Sequence, residues 1–122
     1  MKHILVVDDD MMNLVLVKHA LSGIYKLTCV TSGQEAIAAL EEKIPDLVLL
    51  DIEMPEMNGR EVAAIMKDNP KWKDISIVYL TANADPDTEA DCFKTGADDF
   101  IIKPFVPVVV QRRISRLLEL KD

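Results

Sequence analysis

The sequence is poor in the residue types that mark several protein classes. Its 122 residues include two cysteines, four glycines and 5% aromatic residues. No apolar run approaches the roughly 20 residues that span a membrane, and the run from Ile4 to Val7 is too short for a secretory signal. Cys29 and Cys92 have no metal-ligand spacing to the two histidines, so we expect reduced thiols and not a disulfide. These absences favour a cytoplasmic protein with no membrane segment.

Basic residues are also few relative to acidic ones. There are 14 lysines and arginines against 21 aspartates and glutamates, a net charge of −7. A nucleic-acid-binding domain needs a basic surface to neutralise phosphates, so this balance argues against direct nucleic-acid binding. The charge is uneven, because four bases against two acids from residue 105 onward leave −9 for residues 1–104.

What the sequence does contain is an alternation of short apolar runs with segments of helical spacing. This pattern is typical of βαβ units, which build a parallel sheet. With 49% hydrophobic residues and a length typical of one domain, residues 1–122 are expected to form a single domain, which could be the N-terminal part of a longer chain. The predicted strands are 3–8, 25–30, 46–51, 75–80 and 98–102, and the predicted helices are 11–22, 33–43, 59–68, 86–95 and 107–120.

The polarity of the strands indicates their order. The runs at 3–8, 46–51 and 75–80 are almost continuously apolar, which is typical of strands buried on both faces, whereas those at 25–30 and 98–102 are mixed or short. Three central strands and two edges fit a doubly wound α/β fold, flavodoxin-like, with a five-stranded parallel sheet in the order 2-1-3-4-5. Ligands of such folds bind at the carboxyl ends of the first and third strands.

Carboxylates converge at that position. Asp8, Asp9 and Asp10 follow the first strand, and Asp51 ends the third. Any one of them alone would be read as a turn former or helix cap, but together they predict a site for a hard divalent cation, with Mg²⁺ the best fit. The same acids would repel the phosphate of a flavin, and no glycine-rich phosphate loop occurs in the sequence.

Two further side chains at the same sheet edge suit an oxyanion. Thr81 follows the fourth strand and Lys103 follows the fifth. Singly they would be a turn hydroxyl and a surface lysine. Next to a carboxylate and a metal, however, a hydroxyl and an ammonium group predict a phosphoryl site.

These residues resemble a known family. Its motifs match Asp8-Asp9, Asp51 with Met54-Pro55 and Gly59 behind it, Thr81-Ala82 and Lys103-Pro104. Together they resemble the receiver domain of two-component response regulators, of the chemotaxis-regulator type, over essentially the whole chain.

The resemblance implies a role for each matched residue. Asp51 would be the phospho-acceptor, which takes a phosphoryl group from the phosphohistidine of a histidine kinase or histidine phosphotransfer protein. Asp8, Asp9 and Asp51 would hold Mg²⁺ together with the backbone carbonyl of Glu53, and Asp10 would cap the first helix. Lys103-Pro104 resembles the family's cis peptide bond.

The chemistry expected of this site is simple. A carboxylate such as Asp51 is expected to be ionised near neutral pH, so it needs no general base, and Mg²⁺ and Lys103 would neutralise the phosphoryl oxygens. The protein would then be a signalling switch and not an enzyme in the ordinary sense, since it catalyses only its own phosphoryl transfer and dephosphorylation.

The resemblance also implies how the signal leaves the site. Phosphorylation would draw the Thr81 hydroxyl inward, coupled to Phe100, where some members carry tyrosine. Phe100 could equally be a core aromatic on an edge strand. The output surface would be the face formed by the predicted helix 86–95, strand 98–102 and helix 107–120, facing an output domain, a partner protein or a second copy of the chain.

Other interpretations remain at this point. Glu53 stands two residues after Asp51, as in phosphatases of the haloacid dehalogenase type, but Pro55 occupies the place of that family's threonine or valine. A receiver-like module that binds partners without phosphorylation is a third reading. The basic stretch from Arg116 to Lys121 is either a solvated helix end or is similar to junctions that precede output domains such as cyclic-dinucleotide phosphodiesterases.

Overall fold

The computed structural model describes residues 1–82, 87, 90, 94 and 96–121. Within these residues there are five strands and four helices. They run in the order β1 (His3–Val7), α1 (Met11–Leu21), β2 (Lys26–Val30), α2 (Gly33–Glu42), β3 (Leu47–Asp51), α3 (Gly59–Asp68), β4 (Ser76–Thr81), β5 (Asp99–Ile102) and α4 (Pro107–Lys121).

The sheet confirms the predicted topology. All four strand pairs are parallel, and the order is β2-β1-β3-β4-β5. The observed strands differ from the predicted ones by a single residue at one or both ends. Strand β4 includes Thr81, because Thr81 still pairs with Ile102 of β5. The predicted helix at 86–95 falls mostly on residues outside the described part of the chain.

Three of the described helices begin after a residue of a type that favours helix N-caps. The side chains of Asp10, Ser32 and Asn58 each accept a hydrogen bond from a backbone N–H in the first turn of α1, α2 and α3. Ser32 and Glu35 have the spacing of a capping box, but the box is incomplete, because the Glu35 carboxylate accepts from the backbone N–H and hydroxyl of Thr31 and not from the backbone N–H of Ser32. These caps fix where each helix leaves the sheet.

The hydrophobic core lies on both faces of the sheet, because successive residues of a strand point to opposite faces. One cluster packs alternate residues of the central strands under α2 and α3, and the other packs the remaining residues under α1 and α4. All five residues of β1 and all five of β3 are buried, as expected for central parallel strands. Among the described residues, no helix combines the length and apolar character needed to cross a membrane.

Candidate functional site

The predicted carboxylates meet at the carboxyl ends of β1 and β3. These strands are neighbours, with Val7 opposite Leu50, so the residues that follow each strand lie side by side. Ligand oxygens of Asp8, Asp9 and Asp51 all lie within 4.8 Å of one another. Asp8 and Asp51 are buried, whereas Asp9 is exposed, so the cluster opens to solvent on one side.

Lys103 reaches this cluster from β5. Its Nζ donates a hydrogen bond to Asp51 Oδ1 at 3.0 Å and forms an ion pair with Asp8 Oδ2 at 3.2 Å. The backbone N–H of Lys103 donates to the carbonyl of Thr81, and the Lys103–Pro104 peptide bond is cis, as the resemblance implied. An ammonium group therefore lies between two buried carboxylates.

Asp10 does not join the cluster. Its side chain accepts a hydrogen bond from Met12 N at 2.9 Å and so caps α1, as predicted, while its backbone N–H donates to Asp8 Oδ1. Asp8 and Asp10 thus have separate tasks although they are two residues apart. The Asp10 contact also holds the Asp8 carboxylate in place.

The electrostatics of Asp51 differ from the expectation. Burial raises its pKa to about 7, and the charge of Asp8 adds to this effect, while Lys103 opposes it. Burial lowers the pKa of Lys103, but the hydrogen bonds and charges of Asp51 and Asp8 outweigh it and leave that pKa raised. In the metal-free protein Asp51 is therefore only partly ionised near neutral pH, and less so than expected, because desolvation favours the neutral acid.

The donor set fits a divalent cation. Asp8 Oδ2 is buried and has no hydrogen-bond partner among the described residues, since its ion pair with Lys103 lacks hydrogen-bond geometry. This oxygen shares the Lys103 ammonium group with Asp51, so it remains available as a cation ligand. Three carboxylates with one such oxygen offer the hard oxygen ligands that Mg²⁺ prefers.

The loop after β3 is held close to Asp51 by Gly59. The N–H of Gly59 donates to the carbonyl of Ile52 at 2.8 Å, and a Cβ at position 59 would overlap the backbone carbonyl oxygen of Asp51. Only glycine allows α3 to begin this near the end of β3. Glu53, on the same loop, is exposed.

Thr81 and Phe100 lie along the neighbouring strands. Thr81 is buried at the end of β4, one residue beyond the partner of Asp51. Phe100 is buried on β5 and belongs to the core cluster beneath α2 and α3. In this structure Phe100 therefore occupies the position of a core aromatic, the alternative that the sequence also allowed.

Sequence reasoning missed the contact that Phe100 makes with α4. The Arg113 guanidinium lies 5.8 Å from the centroid of the Phe100 ring, and its Nη1 donates to Asp99 Oδ1 at 2.8 Å. Arginine over an aromatic face is attractive, and a neighbouring carboxylate fixes the guanidinium. Residue spacing holds no signal for this contact, because β5 and α4 meet only after the chain has folded.

Comparison with known proteins agrees with this geometry. A family model described as "Response regulator receiver domain" matches residues 4–115. The response regulator SaeR of Staphylococcus aureus (strain USA300) is 40% identical over 120 residues, which are 97% of this chain and 51% of SaeR. A protein of Vibrio cholerae serotype O1 named "Probable cyclic di-GMP phosphodiesterase" is 36% identical over 118 residues, which are 97% of this chain and 27% of that protein. The chain thus spans about half or less of the length of these relatives.

Solved structures show the same fold. The receiver domain of a sensor histidine kinase from Pseudomonas aeruginosa PAO1, which has a magnesium ion coordinated in its active-site cleft, superposes with a TM-score of 0.88. It is 27% identical, and the superposition covers 97% of this chain and 98% of that one. Fold, acidic cluster and family match lead to one conclusion: this chain belongs to the response regulator receiver domain family, the signalling switches of two-component systems.

Proposed function

We propose that this receiver domain accepts a phosphoryl group on Asp51 from the phosphohistidine of a histidine kinase or histidine phosphotransfer protein, in a Mg²⁺-dependent reaction in the cytoplasm. One observation carries the proposal: the buried Asp51 carboxylate lies beside two other carboxylates and accepts a hydrogen bond from Lys103 Nζ at 3.0 Å. A nucleophile, a candidate cation site and a fixed positive charge thus lie together at the carboxyl ends of the strands.

The proposed transfer forms one bond and breaks one. A carboxylate oxygen of Asp51 bonds to phosphorus as the phosphorus–nitrogen bond breaks, and the electron pair of that bond leaves with the imidazole of the donor. Because the pKa of Asp51 is raised to about 7, the ionised nucleophile depends on nearby positive charge, which the Lys103 ammonium group supplies. The same group would donate a hydrogen bond to a phosphoryl oxygen once phosphoaspartate has formed.

The residues proposed to hold Mg²⁺ are Asp8, Asp9 and Asp51, with the backbone carbonyl of Glu53. The buried Asp8 Oδ2, which has no hydrogen-bond partner in the described part of the chain, supports this assignment. So does the magnesium ion in the cleft of the similar Pseudomonas aeruginosa receiver. When bound, the ion would neutralise charge on the phosphoryl oxygens and on the three carboxylates.

The proposed switch runs through β4 and β5. Phosphoaspartate adds charge and acceptor oxygens at Asp51, and the nearby Thr81 hydroxyl would move to bond one of them. Thr81 is tied to β5 by the Lys103 N–H, so its movement would reach Phe100 and the contact of Phe100 with Arg113. The protein would catalyse only its own phosphorylation and dephosphorylation.

The proposed output surface consists of β5, α4 and the predicted helix at 86–95. Its described part exposes the apolar side chains of Ile102, Val106 and Val109 beside the basic side chains of Arg112 and Arg116. This surface would face a partner protein, a second copy of the chain, or an output region of a longer protein whose receiver domain is residues 1–122. No direct nucleic-acid contact and no membrane contact are proposed.

The decisive experiment is incubation with acetyl phosphate and Mg²⁺, followed by intact mass measurement. We expect the mass of one added phosphoryl group, which EDTA prevents and which Asp51→Asn removes. Asp10→Asn is the matched control, because Asp10 lies outside the cluster and asparagine also caps helices, so this variant should still be phosphorylated. Absence of an adduct would support a module that works without phosphorylation, and rapid turnover of many phosphoesters would support a phosphatase; either result contradicts the proposal.

A further inference from the structure

A second polar pocket lies at the amino ends of the strands, on the opposite side of the sheet from the acidic cluster. His3 begins β1 and Lys26 begins β2, and the two residues are partners in the parallel register. The C-terminal end of α2 lines the space beside them. The cavity has a volume of about 170 Å³, and its lining consists of His3, Leu5, Lys26, Thr28, Ala39, Glu42 and Lys43.

Two ammonium groups converge on this cavity. The side chains of Lys26 and Lys43 are close enough to interact directly, and this contact lowers the pKa of Lys43. The carboxylate of Asp46 attracts Lys43, but its Oδ2 already accepts a hydrogen bond from the backbone N–H of His3 at 2.7 Å. Like charges held together in this way favour an anion between them.

The histidine that lines the cavity is buried and has one ring nitrogen without a hydrogen-bond partner among the described residues. His3 is only 8% exposed, and its Nε2 lies 2.7 Å from the Thr28 hydroxyl. Its Nδ1 is buried and has no partner in the part of the chain that the structure describes. When the Thr28 hydroxyl donates to Nε2, Nδ1 carries the ring proton and is a donor that needs an acceptor. Leaving such a group unsatisfied is costly.

We propose that this cavity binds a small phosphate-type oxyanion, either inorganic phosphate or the phosphoryl end of a small ester, between Lys26 and Lys43 and beside His3. Such an anion would separate the two ammonium charges, and its own charge would favour protonation of the neighbouring His3 ring. The charged donors come from β2 and the end of α2, and a tetrahedral anion with several oxygens can meet donors from more than one direction. Of the described lining residues, two are cationic and one, Glu42, is acidic, so the lining attracts anions.

The size of the cavity limits the ligand. A protein cavity of about 150 Å³ holds a molecule the size of benzene. The 170 Å³ here therefore have room for phosphate with a small organic group, and a nucleotide would extend beyond the cavity. The site does not depend on phosphorylation of Asp51, which lies at the carboxyl end of β3.

The test is a titration with inorganic phosphate followed by ¹H–¹⁵N NMR, in EDTA and at constant ionic strength. We expect saturable shifts at the amides of His3, Lys26 and Lys43 and at the His3 ring, while the ring of the exposed His19 serves as an internal reference. Glycerol phosphate, titrated in parallel, distinguishes a small ester from the free ion. Tighter binding of the ester would assign the site to the phosphoryl end of a small ester, and tighter binding of phosphate would assign it to the free ion.

The double variant Lys26→Gln, Lys43→Gln should weaken binding at least about tenfold, because charged hydrogen bonds are lost. The matched control is Lys71→Gln, Lys73→Gln, which removes the same charge from exposed lysines that do not line the described cavity. Equal weakening in the control, non-saturating shifts, or shifts centred on Thr81 and Lys103 would overturn the proposal. The titration is repeated with Asp51→Asn protein, which should bind phosphate unchanged whatever the outcome of the phosphorylation experiment.

Discussion

The Lys103 ammonium group bonds to the Asp51 carboxylate across an intervening strand. Nζ of Lys103 lies 3.0 Å from Oδ1 of Asp51, although β5 and β3 are separated by β4. The backbone N–H of Lys103 also donates to the carbonyl of Thr81 at 2.8 Å. Lys103 therefore links the Asp51 side chain to the backbone of β4. A change of charge at Asp51 would act directly on the pairing of β4 with β5.

The first prediction concerns this bond. Lys103→Gln removes the charge and hydrogen bond that hold the pKa of Asp51 down, so we expect that pKa to rise above its value of about 7. We also expect the rate of phosphorylation by acetyl phosphate to fall by roughly 10²-fold, because a fixed donor to the phosphoryl oxygens is lost. The pKa is measured by ¹³C NMR of the Asp51 carboxyl in EDTA, and the rate by intact mass with Mg²⁺. Lys73→Gln, on the exposed surface, is the control; an unchanged pKa in Lys103→Gln would contradict the assignment.

Much of this site could be predicted from strand ends alone. Parallel neighbouring strands share an edge, so Asp8 and Asp51 had to meet once β1 and β3 were placed side by side. The caps at Asp10 and Asn58 are hydrogen bonds between residues two or three apart in the chain, so the residue type at each position indicates them. These features depend on near neighbours in the chain or on the sheet order.

Other features could not be predicted, because they depend on packing. The raised pKa of Asp51 follows from how completely its carboxylate is buried, and no motif encodes the degree of burial. The Arg113 contact with Phe100 and the pocket around His3 join residues from different elements in three dimensions. The Glu35 carboxylate bonds to Thr31 although its spacing from Ser32 fits a capping box, since a side chain can choose among nearby donors.

The second prediction separates two adjacent acids. Asp9→Asn should weaken Mg²⁺ binding at least about tenfold, because it removes one charged oxygen ligand from the cluster. Asp10→Asn makes the same chemical change one residue later, but this side chain caps α1 and lies outside the cluster. Mg²⁺ affinity is measured by NMR titration of the backbone amides around Asp51. Equal loss in both variants would mean that only the overall charge of the loop matters.

The third prediction concerns the close approach of α3 to β3. Gly59→Ala places a methyl group against the carbonyl oxygen of Asp51, which is backbone and cannot turn away. We expect the free energy of unfolding to fall by about 1–3 kcal/mol, the usual cost of overpacking. Helix propensity alone would change it in the other direction, by roughly 0.5–1 kcal/mol, so the sign of the effect identifies the clash.

Urea denaturation of Gly59→Ala is compared with that of Ala64→Gly. Ala64 is exposed in the same helix, so its substitution reports propensity without a clash. If Gly59→Ala were as stable as the natural sequence or more so, the loop after β3 would have to accommodate a side chain at this position. The phosphorylation rate of Gly59→Ala should also fall, because the displaced loop borders Asp51.

The last prediction uses the buried histidine. Burial, together with the charges of Lys43 and Lys26, lowers the pKa of His3 from its usual value of 6.5, and Asp46 opposes this effect. The folded state therefore prefers neutral His3. The stability that this preference contributes is complete above pH 6.5 and is lost as the pH falls through the lowered pKa of the folded state.

We therefore expect the free energy of unfolding to fall more steeply between pH 6.5 and pH 5 in the natural sequence than in His3→Gln, which lacks this buried imidazole. Urea denaturation in phosphate-free buffer gives both curves, and His19→Gln, at an exposed position, should behave like the natural sequence. Phosphate must be absent because an anion beside Lys26 and Lys43 would favour the protonated imidazole and flatten the curve. Identical slopes for all three proteins would mean that His3 is solvated in the folded state, which would also remove the basis for an unsatisfied Nδ1.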